Sequence, residues 1–75
     1  MQKKTAEEMV EMFARGGFEA EVARRPSNRR SWAVSFVMDI SKQEDLEDIL
    51  IKFNSLKLKI ESEPNGITEE RVYLY

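Results

Sequence analysis

Hydrophobic residues recur along this chain with two periods, and the periods alternate. Ala6, Met9, Val10 and Phe13 fall at i, i+3, i+4 and i+7, the spacing that puts apolar side chains on one stripe of a helix. From Phe18 the period drops to two: Phe18, Ala20 and Val22 alternate with Glu19, Glu21 and Ala23, as in a strand with one face buried. The same succession then returns. Leu46, Ile49, Leu50 and Phe53 form a second helical stripe, and Leu56, Leu58 and Ile60 alternate with Lys57, Lys59 and Glu61. Residues 32–38 and 72–75 are apolar or aromatic more continuously, which predicts strands at the centre of a sheet, with the two charge-guarded strands at its edges.

The punctuation agrees with these periods. Thr5-Ala6-Glu7-Glu8 and Ser41-Lys42-Gln43-Glu44 match the capping box, in which a hydroxyl and a carboxylate three residues on satisfy orphan N–H groups at a helix start. Gly16-Gly17 ends the first helix by allowing a left-handed residue, and Asn54 serves the second in the same way. Pro26-Ser27-Asn28 and Pro64-Asn65-Gly66 predict the two hairpin turns.

Phe18, Ala20, Val22, Pro26, Val34 and Phe36 align with Leu56, Leu58, Ile60, Pro64, Val72 and Leu74 at a constant offset of 38 residues. The expected fold class is therefore α+β: two αββ units, residues 5–38 and 41–75, in one domain spanning 1–75 with residues 1–4 frayed. Their four strands form one sheet with both helices on one face. This α-β-β-α-β-β order looks like a circularly permuted ferredoxin-like fold, a resemblance from which we expect the central strands, residues 32–38 and 68–75, to lie side by side and parallel. A superfold of this kind carries no function with it.

Composition removes several classes of chemistry. The chain has 75 residues with no cysteine and no histidine, so it has no disulfide framework, no thiolate site and no imidazole base or metal ligand. No apolar run approaches the ~20 residues that cross a bilayer, and the first residues lead into a charged helix rather than a signal segment, so a cytoplasmic protein without membrane contact is expected. With 12 basic and 14 acidic residues, any electrostatic role must be local. The acidic start of the second helix, Glu44, Asp45, Glu47 and Asp48, suits the helix dipole and reads as a solvated face rather than a metal site.

One local concentration stands out. Arg24, Arg25, Arg29 and Arg30 surround the first hairpin tip, and guanidinium forks suit phosphate or carboxylate bidentately. Four phosphate contacts would give a salt slope of about −3.6 on duplex DNA. The bland alternative is a solvated loop whose arginines pair with neighbouring carboxylates. The sheet face away from the helices is expected to show Glu19, Glu21, Ala33, Ser35, Val37, Arg71, Tyr73, Tyr75, Lys57 and Lys59. On that face Val37 and Tyr73 suit a partner or homodimer contact, and Tyr73 beside Lys57 and Lys59 suits base stacking, although no RNA-recognition consensus is present. Ile51 lies off its helix stripe and should be exposed.

Catalytic patterns are missing. Glu19/Glu21 and Glu61/Glu63 lie on solvent faces with nothing evident to raise a pKa, the serines lack a histidine, and no glycine-rich loop precedes a helix. The run Gly17-Phe18-Glu19-Ala20-Glu21-Val22, a strand from Trp32, then Glu44-Asp45-Leu46-Glu47-Asp48-Ile49-Leu50, is similar to small bacterial inhibitors of ribonuclease E. That resemblance implies regulation by docking and carries over no site residue.

We therefore expect a small non-enzymatic interaction and regulatory module without cofactor. It would dock on a larger protein or ribonucleoprotein through Arg24, Arg25, Arg29 and Arg30 and the open sheet face. Direct RNA or DNA binding through the same arginines, with Lys57, Lys59 and Tyr73, is the alternative; a small-ligand sensor at a dimer seam is a third.

Overall fold

The computed structural model describes residues 1–42, 44, 47, 48, 51 and 57–75. Helix α1 (Lys3–Arg15) leads into β1 (Glu21–Arg25) and β2 (Asn28–Asp39), a 3-10 turn (Ile40–Lys42) follows, and β3 (Ile60–Pro64) and β4 (Glu69–Leu74) complete a four-stranded sheet. The strand order is β1-β2-β4-β3, so the two charge-guarded strands are the edges and the two apolar ones the centre, as their patterns predict. No helix among the described residues is long and apolar enough to cross a membrane.

The central strands are adjacent but antiparallel, which corrects the parallel pairing expected from the sequence. The hairpins explain it. β1 and β2 run antiparallel, the connection over residues 40–59 returns the chain to start β3 in the direction of β2, and the second hairpin then reverses β4 against both.

Helix α1 begins earlier than its capping box. Gln2 is the N-cap, with no side-chain capping bond, and Thr5 lies inside the helix. The first residues lie against β2: the Met1 nitrogen donates to Ser31 Oγ at 2.8 Å and the Trp32 carbonyl at 3.1 Å, and Trp32 N–H donates to the Met1 carbonyl at 2.9 Å. This pairing fixes the chain on β2 just ahead of the helix, and tertiary anchoring outweighs the local cap. At the other end, Gly17 takes φ +80°, Phe18 N–H donates to the Phe13 carbonyl and Gly17 N–H to that of Ala14. These two bonds are a Schellman cap, whose usual apolar contact is made here by Phe18 against Phe13, edge-on at 6.1 Å. Phe18 therefore belongs to the cap, and β1 starts only at Glu21.

The core forms where α1 sets Ala6, Met9 and Phe13 on Val34, Phe36 and Met38 of β2 and Val72 and Leu74 of β4. Phe18 extends it with a second edge-on contact, to Phe36 at 4.9 Å, and Val22 and Leu58 pack at its margin. Ile60, expected inside, is 39% exposed although it pairs with Leu74 in register, because α1 packs over β1 and β2 and leaves the β3 edge beyond its reach. Glu44, Glu47, Asp48 and Ile51 are helical, and Ile51 is exposed as expected. The stripe Leu46, Ile49, Leu50 and Phe53, together with Leu56 and the Asn54 cap, lies outside the described residues. Ser41 uses its hydroxyl to donate to Asp39 at 2.8 Å in the 3-10 turn.

Phe36→Ala should lower stability by about 3–5 kcal/mol, and Val37→Ala by less than about 1 kcal/mol, in urea unfolding. The reverse ranking would mean that the two faces of β2 have been exchanged.

Candidate functional site

The first hairpin is not a plain one. Arg25 pairs with Asn28 around Pro26 and Ser27, but the next β1 residue, Arg24, pairs with Trp32. Arg29, Arg30 and Ser31 thus have no β1 partners between those two pairs and bulge from the ladder. A bulge bends its strand and increases the local twist. Here it turns the hairpin tip across the sheet face opposite α1.

The turned tip is fastened at the far edge. Arg25 Nε donates to Glu61 Oε1 and its Nη2 to the Tyr75 hydroxyl at 3.1 Å, with the guanidinium 3.8 Å from the centre of the Tyr75 ring. The Ser27 hydroxyl also donates to Glu61. Flat strands about 4.8 Å apart would hold β1 and β3 about 14 Å from each other, so this side-chain bridge requires the curl. Further along the face, Arg71 donates to Glu21 at 2.7 Å and to Ser35 Oγ at 3.2 Å, and the Tyr73 hydroxyl donates to Glu63 at 2.7 Å.

These contacts close much of the face that the sequence pattern leaves open. Ala33 and Ser35 are fully buried and Tyr73 is 7% exposed, so the Tyr73 ring is not offered for base stacking. Val37 remains 39% exposed. Lys59 pairs with Tyr75 through backbone bonds in both directions, which puts it on the Tyr73 side of the sheet at the β3 edge. Lys57 stands outside the ladder with φ +50°.

The four hairpin arginines accordingly divide. Arg25 is structural. Arg24 donates to the Arg29 carbonyl at 2.8 Å and lies over the Trp32 ring at 4.7 Å, with Lys3 Nζ 5.2 Å from the same ring. The side chains of Arg29 and Arg30 are exposed and make no hydrogen bond or ion pair among the described residues. The chain has six arginines; Arg15, Arg25 and Arg71 each have a carboxylate partner, and Arg24, Arg29 and Arg30 have none among the described residues. Charge count in the sequence made the cluster visible. The bulge, and Lys3 and Trp32 beside it, had no signal there, since they follow from the register shift and from Met1 pairing with Trp32.

Two titrating groups record this network. Glu61 is held below the ordinary 4.5, first by the Ser27 hydroxyl; burial pushes the other way, and Arg25 adds to the lowering. Tyr73 is raised above its ordinary 10.0, mainly by burial and then by the neighbouring Glu63. Comparison with known proteins finds no match: no family model, no curated protein and no solved structure.

Because the folded pKa of Glu61 lies below the unfolded one, its contribution to stability is complete above 4.5 and is lost as pH falls from there through the folded value. In urea unfolding, the advantage of the wild type over Glu61→Gln should shrink from about pH 6 to about pH 3. A gap that stays constant over that range would contradict the assigned contacts. At the alkaline end, stability should fall as pH rises from 10.0 toward the raised Tyr73 value, where the unfolded state has lost a proton that the folded state keeps, and Tyr73→Phe should flatten that fall.

Proposed function

We propose that this chain is a small, non-enzymatic regulatory module of the cytoplasm that docks on an acidic surface of a larger macromolecular partner through its first hairpin. The observation that carries this reading is the division of the arginines: Arg15, Arg25 and Arg71 have carboxylate partners, and the three without one among the described residues, Arg24, Arg29 and Arg30, gather at one bulged tip. Clustered like charges repel, so an external anion is the natural complement. Arg25 and Ser27 on Glu61 fix the base of the tip, which lowers the conformational cost of ordering it on a partner. Arginine and tryptophan are also the residue types that most often anchor protein interfaces. The strand order β1-β2-β4-β3 supports reading the architecture as two αββ units in a permuted ferredoxin-like arrangement.

Arg29→Ser/Arg30→Ser should weaken retention of the partner roughly tenfold or more, with melting unchanged, whereas Arg15→Ser should leave retention as it is. Pulldown from source-cell lysate with and without nuclease reads this. A nuclease-resistant protein partner lost in the double variant is the expected result. Recovery that disappears with nuclease would instead assign the arginines to RNA or DNA, and equal retention by the double variant would remove the hairpin from the site.

A further inference from the structure

The bulge opens a cleft of about 330 Å³ between the hairpin and the outer side of β3 and β4, lined by Arg24, Arg25, Pro26, Arg29, Glu63 and Tyr73. Its lining is dipolar. Arg25 is committed to Glu61 and Tyr75, and the Tyr73 hydroxyl to Glu63. Arg24 uses one donor on the Arg29 carbonyl, and the Arg29 guanidinium has no acceptor among the described residues. A guanidinium has five N–H donors, and an ionised carboxylate about four acceptor sites, of which Glu63 uses one for Tyr73. The cleft therefore offers free cationic donors beside a free anionic acceptor.

On the reading that the hairpin docks on a partner, we propose that this cleft takes an acidic peptide segment of a protein. A carboxylate of the segment pairs with Arg29, and a main-chain N–H donates to Glu63. A peptide carries both groups within one or two residues, which suits a pocket near the lower end of the usual ligand-site range. A phosphodiester strand would set its charge against Glu63, and Glu61 lies in the same strand. With a formal net charge of −2, the chain as a whole offers such a strand no net attraction. Charge complementarity thus favours a short acidic segment over nucleic acid.

Trp32 offers an optical signal. It is the chain's single tryptophan, and Arg24, whose residue also lines the cleft, sets its guanidinium over the ring on the α1 face, so a segment that shifts the hairpin should change its emission.

The test titrates the folded chain with a blocked Gly-Glu-Glu-Gly peptide and, separately, with dodecathymidylate, reading Trp32 emission and the backbone amides of Arg24, Arg25 and residues 27–30 by NMR. The chains compared are the wild type, Arg29→Ser and Glu63→Gln, each checked for unchanged melting; the amide introduced by Glu63→Gln keeps an oxygen for the Tyr73 hydroxyl. The peptide should bind the wild type, roughly tenfold more weakly to Arg29→Ser and several-fold more weakly to Glu63→Gln. Nucleic acid gives the opposite sign at Glu63, since removing a negative charge strengthens binding of a polyanion. Tighter binding by Glu63→Gln, a wild type that prefers dodecathymidylate, or no binding of the peptide would each overturn the peptide assignment. If Arg29→Ser/Arg30→Ser still loses the lysate partner in that case, hairpin docking stands and the peptide inference alone falls.

Discussion

The bridge from Arg25 to Glu61 joins the two edges of the sheet, and the remaining features of the outer face depend on it. It spans a separation that a flat four-stranded sheet would not allow, so it exists only because the β2 bulge curls the hairpin inward. The curl in turn requires small side chains beneath it, and Ala33 and Ser35 supply them, fully buried. Both members of the bridge are largely shielded, at 26% and 20% side-chain exposure, so removing either leaves a poorly solvated charge behind. The pair is therefore better understood as a constraint on where the tip sits than as a large net source of stability.

That constraint separates structural charge from available charge. Along the outer face Arg71 answers Glu21, Tyr73 answers Glu63 and Arg25 answers Glu61, so the face is a hydrogen-bonded lattice in which Val37 stays 39% exposed. Basic groups without such answers are displaced to the bulge and to the Trp32 corner, where Met1 pairing with β2 brings the first turn of α1 and its Lys3. A flat sheet-on-sheet contact suits such a face less well than a localised contact at the hairpin end.

Much of this fold was legible in the chain because its signals are local. The inward register of Val34, Phe36, Val72 and Leu74 follows from period-two alternation, the edge positions of β1 and β3 from their charges, and the positive φ of Gly17 from the doublet that ends α1. What escaped is non-local. Thr5 has a capping partner three residues on, but pairing between Met1 and Trp32 decides where the helix begins. Antiparallel pairing of β2 with β4 depends on how a long connection returns the chain, which no residue pattern encodes. In the candidate site, the arginine cluster could be read by counting, whereas its division into one side chain clamped to a carboxylate and three without one among the described residues depends on a register shift between Arg24 and Arg25. Tyr73 was legible as a strand aromatic but not as a buried one, since its cover comes from across the sheet.

Glu61 holds the hairpin tip from the opposite edge of the sheet. Backbone ¹⁵N relaxation of Ser27, Arg29 and Arg30 in the wild type and in Glu61→Gln measures this directly. The wild type should give order parameters of about 0.85, as for a rigid backbone, falling below about 0.6 in the variant while the sheet stays ordered. A tip already below about 0.6 in the wild type, or unchanged when Glu61 is replaced, would contradict it.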